Sequence, residues 1–304
     1  MNNLKEIFET DQYKNIEFVA NQVVEGFITG LHRSPYHGFS VEFAEHRAYN
    51  TGESTKFIDW KLFGKTDKLF VKRFEEETNL RCHIIIDTSS SMLFPTDSNI
   101  NKLNFSIFSA AALINLLKRQ RDAIGLSLFS DKLEFHINSK LSKSQTSLIY
   151  SKLEQTLEKQ NQQKNKQTNA AKSINEIAEI IHQRSLVIIF SDMLEPNNSE
   201  KLFDALQHLR FKQHEIVLFH LRDKKYELEF DFTNRPYKFI DLETEKEVKL
   251  TPTEIGEDIR EKFKAFFNEI KLKTGQNKIH FIEADINKNF NQILLPYLNN
   301  RNKM

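Results

Sequence analysis

The stretch RCHIIIDTSSS, residues 81–91, decides how the rest of the chain is interpreted. Its apolar run, residues 84–86, is too short for a helix and predicts a buried β-strand. The strand ends at Asp87, and Ser89 and Ser91 follow at alternate positions. A loop with this spacing can turn both hydroxyls toward one point beside the carboxylate. Oxygen ligands of this kind suit a hard cation such as Mg²⁺ or Mn²⁺ better than zinc.

The composition predicts a soluble globular protein. The chain has 304 residues, of which 39% are apolar and 28% charged, enough to build a core and too apolar for a disordered chain. With 43 basic and 42 acidic residues, the net charge of +1 gives no global attraction to nucleic acid or anionic membrane. The single cysteine, Cys82, excludes an internal disulfide framework. The N-terminal residues lack a signal-peptide pattern, and no apolar run approaches the ~20 residues of a membrane helix. We therefore expect a cytoplasmic location and no membrane span.

Strands and helices alternate from residue 81 onward, which predicts an α/β fold. Helices are predicted over residues 102–119, 144–159, 169–182, 199–210, 253–273 and near 287–299. Further strands are predicted over residues 124–129, 133–137, 185–190, 215–221 and 278–284, with a hairpin-like stretch at 237–250. Such alternation is typical of a Rossmann-type, mostly parallel sheet that is flanked by helices.

Residues 1–80 differ from the rest and predict a smaller N-terminal extension, so the α/β domain is expected to cover residues 81–304. The extension contains a possible helix near residues 15–27 and short strand-like pieces at 40–43 and 69–74. Its only tryptophan, Trp60, is expected to anchor a core, because a large aromatic side chain is more often packed than functional.

Two further residues join the opening stretch if the sheet is parallel. Asp192 follows the strand predicted at residues 185–190, and the carboxyl ends of parallel strands share one edge of the sheet. Thr168 stands in a polar loop just before a predicted helix. The sequence therefore predicts a Mg²⁺ or Mn²⁺ site with one coordination position open for an acidic side chain of a protein partner. Its residues are Asp87, Ser89, Ser91, Thr168 and Asp192.

The same residues allow interpretations without a metal. Asp87 and the serines that follow it could cap a helix, because Asp and Ser are favoured N-caps. Asp192 could cap the turn after its strand, and Thr168 could cap the helix predicted at residues 169–182. A degenerate site that no longer binds metal also stays open.

Two other functions compete with metal-dependent docking. The first is a Mg²⁺-dependent phosphohydrolase with Asp87 as nucleophile, but aspartyl-phosphate enzymes of the haloacid-dehalogenase type usually carry a second Asp where Ser89 stands. The second is nucleic-acid binding by the basic residues at 61, 65, 68, 72 and 73. Three glutamates at residues 75–77 follow at once, which favours a solvated face with weak ion pairs.

The motif resembles the metal-ion-dependent adhesion site of von Willebrand factor A domains. Asp-x-Ser-x-Ser after a strand, a distant Thr and an Asp that ends a later strand carry this likeness. The preceding segment is similar to the domain-of-unknown-function-58 family. The residues of that second likeness are His32-Arg33-Ser34, Gly38, Glu42-Phe43, Arg47-Ala48-Tyr49, Gly52-Glu53, Ile58-Asp59-Trp60 and the stretch 68–75.

The resemblance implies a von Willebrand factor A-like α/β domain with an N-terminal extension. It further implies a non-enzymatic adaptor for protein maturation or complex assembly. Members of the family often accompany MoxR-type AAA+ ATPases, so such an ATPase is an expected partner.

Overall fold

The computed structural model describes residues 15–32, 46–49, 60–72, 80–96, 98, 100–160, 168–194, 199–243 and 245–301. The strand piece predicted at residues 40–43 and most of the family-like motif residues between 33 and 59 lie outside these ranges. Residue contacts divide the chain into two compact units, Thr29–Asn79 and Met1–Ile28 with Leu80–Met304. The division into domains at residue 80 stays a prediction.

The elements follow one another as the alternating pattern predicts. The helices are α1 (Ile16–His32), α2 (Trp60–Thr66), α3 (Lys102–Arg119), α4 (Lys143–Lys159), α5 (Ala170–Ile180), α6 (Ser199–Phe211), α7 (Pro252–Gln276) and α8 (Asn291–Arg301). The strands are β1 (His46–Ala48), β2 (Phe70–Lys72), β3 (Arg81–Asp87), β4 (Ala123–Phe129), β5 (Leu133–Lys140), β6 (Leu186–Ser191), β7 (Glu215–Arg222), β8 (Tyr237–Ile240), β9 (Glu247–Leu250) and β10 (His280–Asp285). A 3₁₀ turn at Ser90–Leu93 and a π-helical turn at Lys224–Leu228 complete the set.

A six-stranded sheet in the order β10-β7-β6-β3-β4-β5 forms the centre of the larger unit. All neighbouring strands are parallel except β5, which runs antiparallel to β4. The expected α/β class, a mostly parallel Rossmann-type sheet with helices around it, is confirmed. In register, Asp87 lies opposite Phe129, and Ser191 lies opposite His220. The carboxyl ends of β3, β4, β6 and β7 therefore lie along one edge of the sheet.

Helices cover both faces of this sheet, which explains why the central strands are apolar without alternation. On one face, Ile85, Ile189 and Leu218 pack with residues of α5, α6 and α7. Ile84 and Ile86 point to the opposite face, where α3 contacts β3 and β4. Every residue of α3 from Lys102 to Leu117 is buried, as its nearly uniform apolar sequence predicts.

Some boundaries differ from the predicted ones for local reasons. β5 continues to Lys140 because it pairs with β4 beyond the apolar stretch. The last helix begins at Asn291, four residues later than predicted, because Asp285 organises a turn before it. The Asp285 carboxylate accepts hydrogen bonds from the backbone and side chain of Asn287, at 3.1 and 3.3 Å.

In the smaller unit, β1 and β2 form an antiparallel pair in which Arg47 lies opposite Val71. Trp60 opens α2 and is 61% exposed, so the prediction that it anchors a core is wrong. Its ring meets Phe63 edge-on with the centroids 6.1 Å apart. This contact joins two residues of the same helix that lie about one turn apart. Across the described part of the chain, no helix combines the length and apolar character that a membrane span requires.

Candidate functional site

Asp87 ends the central strand β3 and is fully buried at the carboxyl edge of the sheet. One carboxylate oxygen accepts a hydrogen bond from the backbone N–H of Ser89 at 2.9 Å. The other accepts from the hydroxyl of Ser191, the last residue of β6, at 2.7 Å. Burial and the nearby negative charge of Asp192 together raise the pKa of Asp87 to about 7. The site thus holds a carboxyl group whose charged form is destabilised.

Two serine hydroxyls connect β3 to the end of β6. The hydroxyl oxygens of Ser89 and Ser91 lie 3.0 Å apart. The hydroxyl of Ser91 donates to Oδ1 of Asp192 at 3.4 Å. Ser89 precedes the 3₁₀ turn, but its side chain makes no capping hydrogen bond there. The hydroxyls therefore face one another and Asp192, and helix capping does not account for them.

Asp192 follows β6 directly and is 2% exposed. Its Oδ1 also accepts from the backbone N–H of Leu194 at 3.3 Å, so the expected turn-capping role is present as well. Its Oδ2 accepts from Nζ of Lys102 at 2.9 Å. One carboxylate therefore serves the serine chain with one oxygen and a buried ammonium group with the other.

Lys102, the first residue of α3, is the cation of this site and is 1% exposed. It forms ion pairs with Asp192 and with Glu227 of the π-helical turn after β7. Burial alone would lower its pKa, but the two carboxylates outweigh burial and raise it. A cation in the first turn of a helix opposes the helix dipole. Its position is explained by these two acidic partners and not by helix formation.

Thr168 lies at the same edge of the sheet but has a different partner from the one predicted. The backbone N–H of Asn169 donates to the carbonyl of Ser130, next to the end of β4, at 3.0 Å. The hydroxyl of Thr168 donates to one carboxylate oxygen of Glu243 at 2.9 Å, and its N–H donates to the other at 3.2 Å. The cap of α5 is Asn169, whose side chain accepts from the N–H of Lys172, so Thr168 does not cap that helix.

The structure therefore brings Asp87, Ser89, Ser91 and Asp192 into one hydrogen-bonded group, with Thr168 on the same edge. The role of these five residues in binding a metal stays a prediction. In the described part of the chain, no three His, Cys, Asp or Glu side chains are arranged to hold a metal ion. A cation at this edge would depend on the serine oxygens.

Sequence reasoning missed four side chains at this edge, namely Ser191, Lys102, Glu227 and Glu243. A signal existed for Lys102, because a lysine that opens an otherwise apolar helix needs an anionic partner. Ser191 directly precedes Asp192 and could have been included with it. Glu227 and Glu243 carry no local signal, since they come from a π-helical turn and a hairpin turn that only the tertiary fold brings to the edge.

Curated relatives match only part of the chain. The uncharacterized proteins Rv1480 of Mycobacterium tuberculosis and Mb1516 of Mycobacterium bovis are each 25% identical to it over 100 residues. That match covers 33% of this chain and 31% of the relative's length.

Solved structures resemble the chain at low sequence identity. The conserved hypothetical protein BatB from Bacteroides thetaiotaomicron is 14% identical with a TM-score of 0.44, covering 74% of this chain and 100% of that one. An aerotolerance-related membrane protein from Bacteroides fragilis, solved with multiple mutations to serines, is 15% identical with the same TM-score and coverage. The PilB minor pilin from Streptococcus sanguinis gives 10% identity and a TM-score of 0.38, covering 78% of this chain and 64% of that one. TM-scores below 0.5 establish neither a shared fold nor a shared function.

The family comparison covers most of the chain, including the strand-end serines, Lys102 and Asp192. The family described as "Protein of unknown function DUF58" matches residues 45–271. The chain therefore belongs to the DUF58 family.

Proposed function

We propose that the carboxyl edge of the sheet is a non-enzymatic, Mg²⁺- or Mn²⁺-dependent docking site for an acidic side chain of a partner protein. The observation that carries the proposal is the continuous hydrogen-bonded chain from Asp87 through Ser89 and Ser91 to Asp192. It gathers two hydroxyls and two carboxylates from separate strand ends at one place.

The donor set fits a hard divalent cation. Each of the four side chains in this hydrogen-bonded series offers oxygen, which Mg²⁺ and Mn²⁺ prefer over nitrogen or sulfur. Ser89 and Ser91 would bind the ion through their hydroxyl oxygens, and Asp87 and Asp192 would accept the hydroxyl protons or bind through water. When bound, the ion would supply an electrophilic position for a carboxylate from outside.

The charge balance of the site also favours a cation. Lys102 is one ammonium group and pairs with two carboxyl groups, those of Asp192 and Glu227, while Asp87 adds a third carboxyl group near Asp192. The pKa of Asp87 near 7 reflects burial first and the nearby negative charge of Asp192 second. A divalent ion would offset this repulsion and restore the charged form of Asp87.

Metal binding can be tested without knowledge of the partner. Addition of Mg²⁺ or Mn²⁺ to the EDTA-treated protein should raise its thermal stability, because a ligand that binds only the folded state stabilises it. At about a hundredfold excess over the dissociation constant, the gain is roughly 2.7 kcal/mol. Asp87→Ala should abolish this response.

Asp87→Asn, which keeps the shape of the side chain, guards against simple misfolding of the alanine variant. Asp204→Ala removes an exposed carboxylate of α6 and should respond to metal like the unmutated protein. A wild-type melting curve that is identical in Mg²⁺, Mn²⁺ and EDTA would contradict the proposal.

A MoxR-type AAA+ ATPase is the partner that we propose, and the family resemblance alone supports this choice. Pull-downs with the wild type and with Asp87→Ala, in Mg²⁺ and in EDTA, should recover the ATPase only with the wild type in Mg²⁺. Equal recovery under all four conditions would separate ATPase binding from the metal site.

The phosphohydrolase alternative has less support from the geometry. Asp87 is fully buried, and both of its oxygens already accept hydrogen bonds. A nucleophile must reach its substrate, and the raised pKa leaves less of the reactive carboxylate. Turnover of a generic phosphoester that disappears in Asp87→Asn would favour this alternative over docking.

A further inference from the structure

The side chain of Glu243 makes a two-point contact with Thr168 at the edge of the sheet. Both oxygens of its carboxylate accept hydrogen bonds, one from the Thr168 hydroxyl at 2.9 Å and one from the Thr168 N–H at 3.2 Å. The two residues are 75 positions apart in sequence, so the contact depends on the tertiary fold. A donor pair of this kind fits a carboxylate better than any neutral side chain.

Glu243 is presented by the turn of a hairpin. β8 and β9 pair antiparallel, with Ile240 opposite Glu247. Asp241 closes the turn, since its N–H donates to the carbonyl of Lys246 at 2.9 Å and its carboxylate accepts from the N–H of Glu243 at 2.9 Å. Phe239 of β8 packs against Phe232, which precedes the hairpin in sequence, with the ring centroids 5.3 Å apart. The turn is therefore held by its own hydrogen bonds, and it positions the carboxylate of Glu243 against Thr168.

Glu243 lies in partly buried surroundings that contain other acidic side chains. Glu243 is half-buried, and burial raises its pKa. The hydrogen bonds from Thr168 oppose this rise, whereas the negative charge of Asp192 adds to it. The hairpin thus places an acidic side chain at the same edge of the sheet as the proposed ion site.

We propose that the Thr168 N–H and hydroxyl form the pocket for the partner's acidic side chain, and that Glu243 is an internal occupant which the partner must displace. The inference rests on the proposed docking function and specifies it. The partner's group is then a glutamate-like carboxylate on an exposed turn. Free protein would hold its own acid in the pocket, and docking would release the hairpin from Thr168.

The test uses the full chain and a small acid as probe. The α-amide of N-acetylglutamate, whose only carboxylate is that of the side chain, is titrated into the protein in saturating Mg²⁺, and binding is followed by the NMR shift of the Thr168 amide. Glu243→Gln should bind the acid on the order of tenfold more tightly than the wild type, because a tethered competitor acts at roughly millimolar effective concentration. The α-amide of N-acetylglutamine, which is neutral and has a side chain of the same shape, should not bind either protein.

Glu247→Gln is the matched control. Glu247 lies on the same hairpin, and its carboxylate pairs with Lys238 and not with Thr168. This variant should behave like the wild type. Adding Thr168→Val to Glu243→Gln should remove the gain in acid binding, because the hydroxyl donor is lost.

Separate outcomes identify which proposal fails. If the wild type and Glu243→Gln bind the acid equally, or neither binds it, while both are stabilised by Mg²⁺, the internal-occupant proposal is overturned and the metal site stands. If no protein responds to Mg²⁺ or Mn²⁺, both proposals are overturned.

Discussion

At the scale of single residues, Lys102 is the side chain whose surroundings most constrain the site. A lysine that is 1% exposed needs compensation for its lost hydration, and Asp192 and Glu227 provide it. Removal of one partner from a buried ion pair lowers the free energy of unfolding by more than the intact pair contributes to it, since the remaining charges stay buried and unpaired. Lys102 therefore determines whether the carboxyl edge can hold its acidic residues in place.

Replacing Lys102 by methionine should lower the free energy of unfolding by about 3–5 kcal/mol, because Asp192 and Glu227 would lose their buried counter-charge. Urea denaturation would measure the change. Lys118→Met is the control on the same helix, since its ion pair with Glu17 is exposed and contributes about 0–1 kcal/mol. Similar losses of unfolding free energy in the two variants would show that the buried ion pairs of Lys102 contribute no more than an exposed pair.

At the scale of elements, β4 passes so close to its neighbours that residue 125 has no room for a side chain. A Cβ atom at Gly125 would lie 2.5 Å from Nδ1 of His83 and 2.8 Å from both the carbonyl of Ile137 and the N–H nitrogen of Ser139. The last two are backbone atoms of β5, so relief requires the strands to separate.

Gly125→Ala should therefore destabilise the fold by about 1–3 kcal/mol, the usual cost of overpacking. Gly26→Ala provides the contrast, because a Cβ there meets nothing within 4 Å. In the interior of α1, that change should stabilise the protein by about 0.5–1 kcal/mol. Thermal or urea unfolding of both variants would check the opposite signs, and a stable Gly125→Ala would show that β4 and β5 can separate.

Elements with a strong local pattern could be predicted from the sequence. β3 and β6 are short apolar runs, and α3 has its predicted bounds because its apolar residues continue without a break. The end of β5 and the start of α8 could not, since pairing partners and a turn at Asp285 decide them. The π-helical turn after β7 has no periodic signature of its own.

The candidate site was predictable where it depends on strand ends and unpredictable where it depends on the tertiary fold. Asp87 and Asp192 each follow an apolar strand, and a parallel sheet brings such ends together. The partner of Thr168 could not be read from its surroundings in sequence, because Glu243 is far along the chain. The side chain of Trp60 was placed wrongly because residue type alone does not reveal which helices have a neighbour to pack against.

At the scale of the whole molecule, buried histidines make stability depend on pH. His83 is fully buried, and burial, with a smaller effect from His136, lowers its pKa to about 3. Its Nε2 and the Ser127 hydroxyl oxygen are 2.8 Å apart. The unfolded chain takes up a proton near the ordinary pKa of about 6.5, whereas the folded protein does not. The contribution of the neutral, buried His83 to the free energy of unfolding is therefore fully present above about pH 6.5 and is lost as the pH falls toward 3.

Each pH unit in this window should cost about 1.4 kcal/mol for a single buried histidine. His83→Gln should remove that contribution and flatten the loss of unfolding free energy between pH 6.5 and 4.5. His280→Gln, at an exposed position of β10, should keep the wild-type slope. Urea titrations at several pH values would compare the three proteins, and identical slopes would exclude His83 as a source of the acid sensitivity.

The strand order has a consequence for biosynthesis. β3 occupies the middle of the sheet, yet its neighbour β6 lies roughly 100 residues further along the chain. At translation rates of about 5–20 residues per second, one edge of a strand that is buried from Cys82 to Asp87 in the folded protein waits ~5–20 s for its partner to leave the ribosome. During that interval the nascent chain exposes unpaired backbone N–H and C=O groups, to which another strand could bind. We therefore expect slow codons between residues 88 and 185 to lower the yield of folded protein, because slower elongation there prolongs the exposure of β3.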